Sequence, residues 1–66
     1  MILVDVCGDI SCAHVINDNS ESWLIETRIQ STPIEIQKNS AQQRVCRDMF
    51  EAMSWIQQQQ QLQQIN

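Results

Sequence analysis

Three cysteines, Cys7, Cys12 and Cys46, and one histidine, His14, are the residues whose chemistry could set this chain apart. Thiolate sulfur and imidazole nitrogen are the ligands zinc takes, and four of them close a tetrahedral structural site. The spacing here is C-x4-C-x-H, without the tight C-x2-C knuckle of common zinc modules, and Cys46 lies far along the chain. A metal-stabilised or redox-responsive module built on Cys7, Cys12, His14 and Cys46 is therefore the alternative reading. A buried, inert thiol is the commoner role of cysteine, and no cofactor is expected.

Nucleophilic catalysis would need Cys12 and His14 within hydrogen-bond reach. Two positions apart on a strand they point the same way but stand roughly 7 Å apart. No carboxylate is assigned to orient the ring, although Asp5 lies diagonally. Glu26 and Glu35 are candidates for a cross-strand carboxylate pair, but acid–base work needs a concave site that shifts a carboxylate's pKa. The only glycine, Gly8, excludes a phosphate-binding glycine loop. With no tyrosine, one phenylalanine and four dispersed basic residues, the chain lacks a nucleic-acid stacking platform. The expectation is a protein that is not an enzyme and does not contact nucleic acid directly.

The elements that would position these groups follow from periodicity. Ile2–Cys7 is a β-branched run and Ile10–Ile16 resumes it, with Gly8-Asp9 as a two-residue type II′ turn between them. The short polar side chains of residues 17–22 make a loop. From Trp23 to Gln30 the chain alternates with a period of two, Ser31-Thr32-Pro33 turns it, and Ile34–Gln37 alternates again. Ser40-Ala41-Gln42-Gln43 fits a capping box, and a helix is expected from Ser40 to Gln64. Its buried stripe would comprise Val45, Met49, Ala52, Met53 and Ile56, widened by Cys46 and Phe50, with Trp55 off-centre. The fold class is α+β: a small antiparallel sheet of three or four strands packed by one long C-terminal helix, in ββββα order. Residues 1–56 form the domain and the Gln-rich residues 57–66 a helical or frayed tail.

A turn at Gly8-Asp9 sets Cys7 opposite Ile10, Asp5 opposite Cys12 and Leu3 opposite His14. Opposed residues share a face. Ile2, Val4, Val6, Ala13 and Val15 would then meet the helix, and Leu3, Asp5, Cys7, Ile10, Cys12 and His14 would look outward.

A chain of 66 residues buries only about 60% of its unfolded surface, so its core is marginal. Such scaffolds commonly lean on a staple or a partner. The formal net charge is -4. Asp5, Asp9, Asp18, Glu21, Glu26 and Glu35 stand against Arg28 in residues 1–37, while the remainder is close to neutral. This distribution argues against nucleic acid or an anionic membrane as partner. No secretory leader or membrane span is read in the sequence, and an odd thiol count fits a reducing cytoplasm. The functional expectation is a cytoplasmic interaction module, a homodimer, that binds a protein partner through its acidic sheet face. Asp5, His14, Leu24, Glu26 and Arg28 are the expected contact residues. A nucleic-acid-processing enzyme with a basic groove is one such partner, and small phage or mobile-element inhibitors, anti-CRISPR proteins among them, work in this general way.

Overall fold

The computed structural model describes residues 1–63. It contains β1 (Ile2–Asp5), β2 (Ile10–Cys12), β3 (His14–Asp18), β4 (Ser22–Glu26), β5 (Ile34–Gln37), β6 (Gln43–Cys46) and α1 (Met49–Gln63). The α+β class holds, but the strands form two antiparallel sheets of three, ordered β2-β1-β6 and β3-β4-β5, rather than one sheet of four.

The helix packs on one face of the β2-β1-β6 sheet, and the β3-β4-β5 sheet packs on the other. Val4 and Cys46 join Ala52, Trp55 and Ile56 in the first core, with Ile2 and Val6 beside them. Ala13, Trp23, Ile25, Ile36 and Val45 make the second, flanked by Leu3, Val15 and Ile34. Successive residues of β1 and β6 thus enter different cores. A strand covered on both faces reads as a continuous apolar run, as Ile2-Leu3-Val4 does, rather than as an alternation.

The expected second strand is divided. Ala13 is buried where the chain leaves one sheet for the other, and its N–H still donates to the Met1 carbonyl at 2.9 Å. Strands that switch sheets make the corners of such packings, and a side chain of one methyl fits between the layers.

The β1–β2 hairpin differs from the expected turn. Leu3 pairs with Ser11 and Val4 with Ile10. The Gly8 N–H donates to the Asp5 carbonyl and the Asp5 N–H to the Asp9 carbonyl, both at 2.8 Å. Gly8, at φ 99°, occupies the left-handed position that closes a three-residue loop with a bulge. The Asp5 carboxylate accepts from the Cys7 N–H at 2.8 Å and holds the loop's first half. This longer loop changes the register by an odd number, which moves β2 to the opposite face. Ile2, Val4 and Val6 face the helix as expected. Ala13 and Val15 belong to the core between the sheets, and so does Leu3, which was expected in solvent.

The helix starts at Met49, not Ser40. Ser40 Oγ accepts from the Gln42 and Gln43 N–H groups at 3.0 and 3.4 Å. The serine bond of a capping box is therefore present, but it shapes a turn into β6. That strand occupies the free edge of β1, and the Val6 N–H donates to the Gln42 carbonyl just beyond it. The working cap is Asp48, whose carboxylate accepts from the Glu51 N–H at 2.9 Å, while Glu51 reaches back to the Arg47 N–H at 3.2 Å. With Val45 and Cys46 on a strand, the buried stripe of α1 is Ala52, Trp55 and Ile56. Trp55 is in the core, whereas Met49, Phe50 and Met53, expected inside, are exposed. The helix runs through the glutamines to Gln63, and the expectations for residues 64–66 fall outside the described residues.

Candidate functional site

Among the described residues, neither the helix nor the other sheet covers the outer face of the β3-β4-β5 sheet. On β4, Trp23 and Ile25 point inward, which leaves Leu24 and Glu26 outward. His14 lies opposite Glu26, Asn17 and Glu35 lie opposite Leu24 on either side, and all share that face. A register shift between Val15 and Asn17 absorbs Ile16, leaving it exposed while restoring Asn17 to the outer face.

His14 Nδ1 sits 2.9 Å from Glu26 Oε1. Both side chains are largely exposed, so the contact orients the imidazole without contributing much stability. Ser22 is buried at the far end of β4. Its hydroxyl donates to Glu35 Oε2 at 2.8 Å, and its backbone N–H donates to Asn19 Oδ1 at 2.8 Å. The two glutamates are thereby held on the face by different partners, with half-buried Leu24 between them.

Beside this face is a shallow hollow of about 310 Å³ lined by Cys12, Ala13, His14, Glu26, Thr27 and Arg28. Of the five expected contact residues, His14, Leu24 and Glu26 converge and Arg28 adjoins them from the loop after β4. Asp5 does not. It ends β1 in the other sheet, is committed to the hairpin loop, and lines a separate hollow with Asp9 and Ile29.

The orientation of His14 by Glu26 was not foreseen. A two-residue turn at Gly8-Asp9 puts Leu3 opposite the ring, whereas Leu3 pairs with Ser11. Glu35 lies opposite Leu24, and the alternation of residues 34–37 is the sequence signal that places it there.

The thiols do not assemble. Cys7 is in the β1–β2 loop, Cys12 is exposed at the sheet corner, and Cys46 is buried under the helix; all three are free. Among the described residues no three His, Cys, Asp or Glu side chains gather closely enough to hold a metal ion. Cys7, Cys12, His14 and Cys46 are not brought together as a four-ligand metal site, because they fall in the loop, the corner, the outer sheet and the helix core. The Cys7 thiol is pushed up by its hydrogen bond to Asp5 and by the Asp5 and Asp9 charges. Burial, and then the Glu51 charge, push Cys46 up. Both shifts favour the neutral thiol, the opposite of what an activated nucleophile needs.

Among the described residues no helix is long and apolar enough to cross a membrane. Compared with models of protein families, with curated proteins and with solved structures, the chain matches none.

Proposed function

We propose that this chain is a non-enzymatic interaction module that docks the basic surface of a protein partner on the outer face of β3-β4-β5. The observation that carries the reading is the uneven covering of the two sheets. In the β2-β1-β6 sheet the strands β1 and β6 are covered on both faces and only the short β2 leaves Ile10 and Cys12 exposed, whereas the other sheet turns Leu24, Glu26, Glu35 and the Glu26-oriented His14 to solvent. Exposed charge pairs are each worth only about 0–1 kcal/mol. The carboxylates would therefore steer and orient the partner, and burial of Leu24 would supply the apolar anchor. A basic groove on a nucleic-acid-processing enzyme is a surface of matching chemistry.

The test is affinity capture from host lysate with three baits: the unaltered chain, a Glu26→Lys/Glu35→Lys double variant and a Leu24→Ala variant. A protein retained by the first, released as salt is raised, and lost from both variants supports the reading. Equal retention by all three baits, with folding verified by circular dichroism, would overturn it.

A further inference from the structure

The outer edge of β2 carries backbone groups without partners. The Asp5 N–H donates to the Asp9 carbonyl and the Ala13 N–H to the Met1 carbonyl. In an antiparallel pair every second residue turns its backbone groups to the neighbour, so Asp9, Ser11 and Ala13 face β1. Ile10 and Cys12, opposite Val4 and Ile2, therefore turn their N–H and C=O groups the other way. Among the described residues no second strand pairs with β2, and no loop bond takes these groups.

That edge opens onto a wedge. β3 and β4 pair as far as His14 and Glu26. Beyond that pair, Ala13 carries the chain into the other sheet while residues 27–29 run on, and the two segments part. Hollows follow one another along the gap. One of about 310 Å³ lies at the apex around Ala13 and Thr27, one of about 390 Å³ lies between Cys12 and Arg28, and one of about 340 Å³ lies at the mouth between Ile10 and Ile29. Proteins blunt a free edge with charge, proline or a bulge. β3 has a bulge and ends on Asp18; Ile10-Ser11-Cys12 has none of these.

We infer that the wedge takes an extended segment of a partner protein, added to β2 as a further strand. The free groups of Ile10 and Cys12 select the conformation, because a strand offers donors and acceptors at the same two-residue interval. The segment's side chain opposite Ser11 shares the face of Ser11 and meets Thr27 and 85% exposed Ile29, which suits an apolar residue. Charge selects the rest. Asp5 and Asp9 stand at the mouth and Glu26 at the apex, against Arg28, so the segment carries a basic residue at the Asp9 end. A second copy fits worse: β2 paired antiparallel with itself brings Asp9 of each chain toward Glu26 of the other, in a protein of net charge -4. The inference does not rest on the outer-face reading, since Leu24 and Glu35 line none of these hollows.

A displayed library of random short peptides, selected on the unaltered chain, supplies the probe, and amide hydrogen exchange read by NMR supplies the test. In the free chain the Ile10 and Cys12 amides should exchange fast while that of Ser11 is protected. A selected peptide should be basic, and its binding should slow the Ile10 and Cys12 amides. N-methylation of one alternate set of its amides should weaken binding about tenfold, by removing the bonds to β2, and methylation of the other set should matter little; this leaves the protein unaltered. Leu24→Ala should not change the affinity. Ile10 and Cys12 amides already protected in the dilute free chain would overturn the inference, as would a library that yields no binder. Protection that grows with protein concentration alone would assign the edge to a second copy and overturn it too. So would a peptide that Leu24→Ala releases, because its site would be the outer face.

Discussion

Two aromatic residues on the same helix should respond in opposite ways to truncation. Trp55 is 8% exposed and sits among Val4, Cys46, Ala52 and Ile56. An aromatic side chain of this class buries about 150–250 Å². At about 25 cal/mol per Å² that burial corresponds to an upper bound near 4–6 kcal/mol, and aromatic-to-alanine changes in cores cost about 3–5 kcal/mol. A single core in a chain of this size rarely supplies more than about 3–5 kcal/mol in total. Trp55→Ala should therefore abolish the cooperative urea transition. Phe50→Ala, on an 86% exposed side chain, should stay within about 0.5 kcal/mol of the unaltered protein. Both are read by urea titration with far-ultraviolet circular dichroism. If Phe50→Ala destabilises the chain as much as Trp55→Ala, the helix is rotated from the phase described above.

Two further predictions concern stability alone. Asp48→Ala should cost about 1 kcal/mol by releasing the Glu51 N–H, while Ser40→Ala should leave helix content unchanged; thermal melts followed at the helix band compare them. Because the folded Cys46 pKa is raised above the ordinary value of 9.0, its thiol favours the folded state fully below that value and loses that contribution as pH rises through the folded pKa. Unfolding free energy should fall with pH above about 9, by at most about 1.4 kcal/mol per pH unit for this group. Urea titrations at several pH values should show Cys46→Ala flattening that slope; an unchanged slope assigns it to other groups.

The sequence made most of the strands legible because their signals are local. The alternation through Trp23-Leu24-Ile25-Glu26 and Ile34-Glu35-Ile36 reports a sheet with one face in solvent, and Leu24 and Glu26 were placed outward on that basis. The same rule fails for β1 and β6. Leu3 and Val45 enter one core while Val4 and Cys46 enter the other, so alternation carries no information about exposure there. The helix starts later than the Ser40 motif suggests because that motif satisfies backbone donors equally well in a turn, and only the long-range demand of the β1 edge draws Gln43–Cys46 into a strand. Asp48-Met49-Phe50-Glu51 carried the right local signal. The His14–Glu26 contact depended on the length of the loop closed by Gly8, where an odd change of register exchanges the faces of β2.

The uneven covering of the two sheets is the claim on which the proposed site depends. A soluble paramagnetic relaxation agent tests it by NMR, in the free protein and without a partner. The methyl groups of Leu24 should broaden together with those of exposed Ile16, while those of Val4 and Val45, 0% and 3% exposed, stay sharp. Broadening of the Val45 methyls to the same degree as those of Leu24 would show that the β2-β1-β6 sheet is open on the face assigned to the inner core, and would contradict the account.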